Sequence, residues 1–228
     1  LRIQHHIKTQ KVIPAIVEIV EIAGLVAGAS KGEGLGNKFL ANIRETSAIL
    51  MMVRCFVDPN VIHVSGAVDP MRDIDVIDLE LALADAETME RRHKKASSSL
   101  KSGGKDAKDA KIEVALVEKV AAHLDAGKAA RTLALTDDER AAVATWGLLT
   151  AKPVLYCCNV GEEDLPDGNQ WTKLVAARAA AEGAGVVILC GKIEAELAGL
   201  AGQAAPTPSP APSRRGRGGR LWRLCSPS

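Results

Sequence analysis

Residues 21–45 read EIAGLVAGASKGEGLGNKFLANIRE, and this stretch decides the fold of the chain. An apolar run over residues 13–22 leads into it and carries the acid Glu21 near its end. Glycines at high density indicate a backbone that must approach a ligand closely or must move. The loop between the apolar run and the next helix-like segment holds Gly24, Gly28, Gly32, Gly34 and Gly36.

An acid and a glycine at the end of a strand are typical of switches that respond to a bound nucleotide. In such switches the acid holds a metal ion, and the loop senses the terminal phosphate. The pattern therefore favours Glu21 as a candidate metal contact and Gly24 as a candidate phosphate contact.

Strand-like and helix-like segments alternate along the chain. Residues 12–22 and 48–57 read as buried strands, and residues 38–44 between them read as a short helix. This order implies a parallel sheet, because parallel neighbours need a crossover connection. The alternation continues with strands expected at 153–158 and 185–190 and helices expected at 170–182 and 193–200.

A second pattern interrupts the alternation. Apolar residues recur at helical spacing over 73–95 and again from Ile112 to Leu124, with serines and glycines at 97–104 between them. Two amphipathic helices joined by a short polar break predict an αα-hairpin. The capping-box pattern from Thr136 to Glu139 predicts one more helix, which ends near Gly147.

The tip of the predicted hairpin is basic. Two interpretations stay open: an ordinary solvated surface, or a contact for RNA or an acidic protein. The cations are Arg91, Arg92, Lys94, Lys95, Lys101, Lys105 and Lys108.

Composition sets outer limits on function. The chain has 228 residues, 47% hydrophobic, 25% charged and 3% aromatic, with a net charge of +1. This balance is ordinary for a globular protein and gives no overall electrostatic reason to expect DNA or a membrane as partner. Its five cysteines form no CxxC pair, so buried, reduced thiols are expected and a zinc site is not. A cytoplasmic location, or alternatively an organelle matrix or stroma, suits reduced thiols.

The last part of the chain differs in composition. Residues 201–228 are rich in Pro, Ser, Arg and Gly, and a segment of this kind is expected to be disordered. The run RGRGGR at 215–220 is compatible with RNA binding. The alternative is that the tail is not a selected sequence.

Several segments together resemble the Obg-like ATPase family, also called YchF, of the P-loop NTPases. The resemblance is carried by the glycine-loop region at 11–46, RCF at 54–56, VDPMRDIDVIDLELALAD at 68–85, LLTAKPVLY at 148–156 and KIEAEL at 192–197. It covers roughly residues 8–200. The resemblance implies an α/β fold: an incomplete P-loop NTPase (G-domain) parallel sheet with an inserted α-helical hairpin. It divides the chain into a discontinuous G domain at 1–68 and 147–200, the hairpin at 69–146 and the tail at 201–228.

Carried onto this sequence, the family's Asp-x-x-Gly switch motif becomes Glu21-Ile22-Ala23-Gly24. The resemblance implies a role for Glu21 at Mg²⁺ and for the Gly24 amide at the γ-phosphate. Glu is one methylene longer than Asp, and octahedral Mg²⁺ tolerates misplacement poorly. Leu25 stands where Ras-like GTPases carry a glutamine that orients water, so hydrolysis is expected to be slow and no catalytic residue is assigned.

The resemblance also implies a base-binding loop. Asn159-Val160-Gly161-Glu162 matches the family's Asn-x-x-Glu, where guanine-specific proteins have Asn-Lys-x-Asp. Losing that Asp removes the group that favours guanine, which implies a preference for ATP over GTP. Cys190 and Gly191 stand in the last base-contacting loop.

No GxxxxGK[ST] motif occurs in these 228 residues. Without it there is no amide nest or lysine for the phosphates, so weak nucleotide affinity and an exposed sheet edge are expected. Three functions stay open: an ATP- or GTP-binding switch with slow hydrolysis, a ribosome- or RNA-binding module without hydrolysis, and a non-functional truncated product.

Overall fold

The computed structural model describes residues 17–22, 35–60, 67–102, 107–204 and 221–225. Its strands are β1 (Glu18–Ile22), β2 (Ala48–Cys55), β3 (Val154–Val160), β4 (Gly185–Leu189) and β5 (Leu221–Cys225). Its helices are α1 (Leu35–Arg44), α2 (Pro70–Ser102), α3 (Ala107–Asp125), α4 (Asp137–Ala144), α5 (Gln170–Glu182) and α6 (Gly191–Ala204).

The strands form one sheet in the order β1-β5-β2-β3-β4, with every pair of neighbours parallel. The predicted α/β class with a parallel sheet is therefore confirmed. Because all strands run the same way, their carboxyl ends lie along one edge of the sheet. Ligands of open α/β sheets bind outside that edge.

Two hydrophobic clusters hold the described chain together. One joins the sheet to helices α1 and α5 and to the first half of α2, and residues such as Met51, Val53 and Tyr156 are fully buried in it. The other joins the second half of α2 to α3 and α4 around Val117, Val120 and Trp146. Helix α2 is the element that enters both clusters. The proposed division into domains stays a prediction.

The helical hairpin consists of α2, with 33 residues, and α3, with 19 residues. Helix α2 continues through residues 97–102, so the predicted break at these residues is wrong. Serine is only mildly unfavourable in a helix when its hydroxyl bonds back to the preceding turn. The Ser99 hydroxyl does so, at 3.2 Å from the Lys95 carbonyl oxygen. Residues 103 and 104 of the predicted break lie outside the described residues.

Helix ends follow their local sequence. Thr136 and Glu139 form the predicted capping box of α4, where the Thr136 hydroxyl accepts from the Glu139 amide at 3.2 Å. Asn169 caps α5, and α5 stops at Gly183, whose φ of 67° is the left-handed conformation that favours glycine.

Other predictions need correction at particular residues. Gly36, expected in the glycine loop, lies in the first turn of α1. Disorder was expected from residue 201, but α6 extends to Ala204 and β5 lies within the tail. β5 pairs with both β1 and β2, and within the described residues β1 has no strand partner on its other side. No helix in the described ranges is both long and apolar enough to cross a membrane.

Candidate functional site

A cavity of about 330 Å³ opens at the carboxyl ends of β2 and β3, beside the start of α6. The two strands and the helix bring together residues that are more than a hundred positions apart in the chain. The residues that line the cavity include Phe56, Asp58, Asn159, Gly161, Glu162, Cys190 and Lys192. Most of the predicted base-binding residues therefore share one cavity.

Asn159 is fixed by the first residue of α6. Its Oδ1 accepts a hydrogen bond from the Gly191 amide at 2.9 Å. A Cβ at Gly191 would lie 3.4 Å from the Asn159 side-chain amide, which is an ordinary van der Waals contact, so the hydrogen bond itself does not require glycine here. With Oδ1 engaged, the Nδ2 group of Asn159 is left as a donor of up to two hydrogen bonds to a ligand.

Glu162 and Lys192 form an ion pair across the rim of the cavity. The Lys192 Nζ lies 2.6 Å from the Glu162 Oε1, and both side chains are exposed. The hydrogen bond and charge of Glu162 raise the pKa of Lys192. The Glu162 carboxylate, predicted to lie near the base, is thus already engaged by a cation.

Two predicted contacts lie deeper than the rim. Val160 is buried at the end of β3, where it belongs to the sheet's hydrophobic cluster and also lines the cavity. Cys190 is buried next to Gly191, and its thiol is free. Val160 and Cys190 are thus buried lining residues, whereas Asn159 and Glu162 are the polar residues among the predicted contacts that line the cavity.

Phe56 is a lining residue that sequence reasoning did not assign to the site. It follows directly after β2, and the Arg54 guanidinium lies 4.8 Å from the centroid of its ring. Arg54 also donates from Nε to the Phe56 carbonyl oxygen at 3.2 Å, which fixes the turn. The sequence did contain a signal for Phe56: the chain has few aromatic residues, and this one comes directly after a buried strand.

The switch region is described only in part. Glu21 is exposed near the carboxyl end of β1, at the same sheet edge as Asn159. Among the described residues no group of three or more His, Cys, Asp or Glu side chains could hold a metal ion. The remaining predicted switch residues lie outside the described residues: Gly24, Leu25, Gly28, Gly32 and Gly34.

A buried ionic network joins the hairpin to strand β3 and helix α5. Arg131, with a side chain 8% exposed, donates from Nε and Nη2 to Glu182 Oε2 at 3.2 and 2.6 Å. The Tyr156 hydroxyl of β3 donates to the same oxygen at 3.0 Å. Arg178 donates to Glu182 Oε1 and to Asp78 Oδ2, both at 2.7 Å. The network therefore connects α2, β3 and α5.

Burial and pairing compete at these groups. Burial would raise the pKa of Glu182, but the hydrogen bonds of Arg131, Arg178 and Tyr156 outweigh it and the pKa is lowered. For Asp78 burial dominates and raises the pKa. Its Oδ1 has no hydrogen-bond partner within the described part of the chain, which agrees with that direction.

Asp85 ties α2 to the segment that leads into β3. This carboxylate is 1% exposed and accepts from the Leu149 and Thr150 amides, each at 2.8 Å, and from the Thr150 hydroxyl at 2.7 Å. Burial raises its pKa in spite of these bonds. Leu149 and Thr150 belong to the segment LLTA at 148–151, which connects the helical part of the chain to β3.

No protein-family model matches the chain. Curated proteins do match it: ribosome-binding ATPase YchF of Haemophilus ducreyi is 47% identical over 85% of this chain and 52% of its own length. Its namesake in Escherichia coli O157:H7 is 47% identical over the same shares. That of Bacillus subtilis is 45% identical over 86% of this chain and 54% of its own length. The chain spans about half the length of the curated relatives it matches.

A solved structure agrees with these sequences. The YchF GTPase of Schizosaccharomyces pombe matches 76% of this chain and 48% of its own chain, with a TM-score of 0.65 and 33% identity. Sequence and fold thus point to the same group of proteins. The chain belongs to the YchF, or Obg-like ATPase, family of P-loop NTPases.

Proposed function

We propose that this chain carries the base-binding part of a nucleotide-dependent switch. The observation that carries the proposal is the fixed geometry of Asn159, whose Oδ1 accepts from Gly191 at 2.9 Å inside a cavity of about 330 Å³. The free Nδ2 of Asn159 suits an acceptor on a purine ring, and the Phe56 ring beside it offers a surface on which the base can stack.

The arrangement of the sheet supports a triphosphate ligand. β5 and β2 lie between β1 and β3 in the sheet. Neighbouring strands are about 4.8 Å apart, so the ends of β1 and β3 are about 14 Å apart. A nucleoside triphosphate bound with its base at Asn159 bridges such a distance towards the loop after β1. Gly24 and the other switch glycines are proposed to contact or sense its terminal phosphate.

We propose that the base is adenine in preference to guanine. A guanine reader needs a carboxylate that accepts from the N1–H and amino groups of the base. Glu162, in that position, is paired with Lys192 at 2.6 Å and would have to leave this partner. Adenine has no matching pair of donors, so it loses nothing when Glu162 stays paired.

Mg²⁺ is proposed to arrive with the nucleotide. This ion is usually held by one or two carboxylates, phosphate oxygens and water, and the exposed Glu21 offers one carboxylate at the correct sheet edge. Hydrolysis in the whole protein is proposed to be slow, because Leu25 cannot orient a water molecule.

A fluorescent ATP analogue tests the proposal. Replacing Asn159 by Ala is expected to weaken binding about tenfold or more, because the hydrogen-bonding group for the base is lost. Asn60→Ala is the matched control, since Asn60 is exposed in the turn after β2. Equal binding by the wild-type chain and the Asn159→Ala variant would contradict the proposed base site. Micromolar affinity for the analogue would contradict the weak binding expected of these 228 residues.

A second candidate function rests on the hairpin tip. Arg92 is paired with Glu113 at 3.2 Å and Lys94 with Glu90 at 2.6 Å. Lys95, Lys101 and Lys108 are exposed and have no ion-pair partner within the described ranges. We propose that these lysines contact ribosomal RNA, whose phosphates favour unpaired cations.

Ribosome co-sedimentation tests this contact. The triple charge reversal K95E/K101E/K108E is expected to reduce binding more than tenfold, with a weaker salt dependence. The matched control K38E/K128E/K173E changes the same charge at exposed lysines away from the tip. Equal losses in the two triple variants would show that only net charge matters and would contradict a tip-specific contact.

A further inference from the structure

Asn169 uses every hydrogen-bonding position of its side chain close to the cavity at the ends of β2 and β3, which we call the base cavity. It is not among the described residues that line this cavity. Its Nδ2 group donates to the Cys55 carbonyl oxygen and to Asp164 Oδ2, each at 2.7 Å. Its Oδ1 accepts from the Trp171 and Thr172 amides at 3.0 and 3.2 Å. An asparagine side chain offers two donors and two acceptor positions, so it has no capacity left for a ligand.

The two partners of Nδ2 belong to different walls of the base cavity. Cys55 is the last residue of β2 and is followed directly by Phe56, which lines the cavity. Asp164 ends the short 3₁₀ turn Glu162–Asp164, whose first residue, Glu162, lines the cavity on the β3 side. One amide group therefore joins two segments that are more than a hundred positions apart in the chain.

The bridge through Asn169 lies where strand pairing stops. The pairing of β2 with β3 ends at Cys55 and Val160, and the lining residues at 56–58 and 161–163 follow after it. The last strand pair fixes where the two walls begin, and the bridge connects them directly beyond that pair. It is thus placed where it can set the separation of the walls.

The backbone around Asn169 is held firmly as well. Gly168 has a φ of 76°, in the left-handed region that favours glycine. A Cβ at Gly168 would lie 2.3 Å from Thr172 Oγ1 and 2.9 Å from Ile188 Cδ1, so a side chain does not fit there. The Thr172 hydroxyl, in a residue that is 2% exposed, accepts from the Asn169 amide at 2.9 Å and donates to its carbonyl oxygen at 2.8 Å. Asn169 is therefore held in one position by its own loop.

We propose that Asn169 is a positioning residue for the base cavity: it holds the Phe56 wall and the Glu162 wall at the separation that admits a purine ring. The inference rests on the proposed function, since it takes this cavity to be a base site. Asn169 acts through its two partners and does not touch the ligand. A nucleoside then binds without first having to order the walls, and this pre-organisation strengthens binding.

Asn169→Asp separates the proposed role from the capping of α5. Aspartate is as good an N-cap as asparagine, because its carboxylate accepts from the same amides, but it has no donor for Cys55 or Asp164. NMR titration of the full ¹⁵N-labelled chain with adenosine is expected to show about tenfold weaker binding in this variant, because the walls are no longer held. Thr136→Asp is the matched control: it adds the same charge at the N-cap of α4 and should bind adenosine like the wild type.

The double variant N169D/D164N tests whether the bridge or only charge repulsion matters. N169D alone places two carboxylates side by side. The second change removes this repulsion and supplies a donor between positions 164 and 169, but it leaves the Cys55 carbonyl without its donor. Adenosine binding is expected to stay about threefold or more weaker than in the wild type. Wild-type affinity in the double variant would show that only repulsion mattered and would overturn the proposal.

A measurement without ligand separates this proposal from the proposed function. In the free chain, N169D should lower the amide order parameters of residues 56–58 and 162–165 from about 0.85 to below about 0.6, while those of α5 stay unchanged. Unchanged values in the two segments, or an equal loss in α5, would overturn the role of Asn169 whatever the wild type binds. If the values fall as expected but adenosine causes no shifts in the wild type, the base site is contradicted and the bridge between the two walls stands.

Discussion

Strands β3 and β1 end at the same edge of one parallel sheet, but they are held in different ways. β3 lies between β2 and β4, and five of its seven residues are buried. β1 has one buried residue of five, and its only strand neighbour in the described structure is β5. The proposed base end of the site is thus built into the protein core, and the proposed switch end depends on one strand pairing.

The difference suits the two proposed tasks. A base-binding residue, the role proposed for Asn159, is most useful when it is held in one position before the ligand arrives, because little ordering remains to be done on binding. A phosphate-sensing loop must adopt different positions with and without the phosphate. The following predictions test whether β3 and β1 differ in this way.

The largest effect is expected from Arg131→Met. Removing one partner of a buried ion pair leaves its carboxylate uncompensated, which costs about 3–5 kcal/mol of the free energy of unfolding. Urea denaturation measures the loss. Lys119→Met is the control: Lys119 pairs with Glu139 at 2.8 Å at the surface, and its removal should cost less than about 1 kcal/mol. Similar losses in the two variants would show that the network does not anchor β3.

Truncations in β2, which pairs with β3, and in β1 test whether the centre of the sheet is packed more tightly than β1. Met51→Ala in β2 opens a cavity in the core and should cost about 2–5 kcal/mol. Ile19→Ala in β1 affects a side chain that is 55% exposed and should cost less than about 1 kcal/mol. Equal losses in thermal or urea unfolding would mean that β1 is as much a part of the core as β2.

Asp85→Asn tests how α2 is attached to the entry of β3. Asparagine has one acceptor oxygen, so it cannot accept from both the Leu149 and Thr150 amides, and its NH₂ group faces another donor. We expect a loss of about 2–3 kcal/mol. Asp125→Asn, at an exposed residue, should stay within about 0.5 kcal/mol of the wild type.

The most local effect is expected from Leu224→Pro in β5. Proline removes a backbone donor from a strand that pairs on both sides. Hydrogen exchange should therefore speed up in β1, by about tenfold or more, while exchange in β3 changes less than about twofold. Unchanged protection of β1 would show that its order does not depend on β5.

Much of the fold followed from local sequence. The glycine loop between two apolar runs predicted a parallel α/β unit, and Thr136 with Glu139 predicted the start of α4. These signals lie within a few residues of the structure that they specify. The helical hairpin was recognised in the same way, from apolar residues at helical spacing.

The missed features depend on distant contacts. Arg131 and Glu182 are 51 residues apart, and neither has a neighbour in sequence that indicates the pair. Helix α2 runs through the serines at 97–99 because α3 packs alongside it, although serine clusters usually favour a break. β5 has the sequence LWRLC inside a tail rich in Pro, Arg and Gly, where composition hides a five-residue strand.

The site was predicted in part. Asn159, Glu162, Cys190 and Gly191 were assigned by resemblance, and the cavity brings Asn159, Glu162 and Cys190 together, with Gly191 bonded to Asn159. Phe56 and the Glu162–Lys192 pair were not assigned, because their role appears only when β2, β3 and α6 are placed side by side. The binding roles of these residues and of the switch glycines stay predictions.

A titration of the ¹⁵N-labelled chain with adenosine and, separately, with guanosine tests the central claim most directly. Nucleosides carry no phosphates, so they report on the base cavity alone. We predict chemical-shift changes at Phe56, Asn159, Glu162 and Gly191, larger for adenosine than for guanosine and absent in Asn159→Ala. Shifts of equal size for the two nucleosides, or shifts confined to residues away from this cavity, would contradict an adenine site built by the ends of β2 and β3.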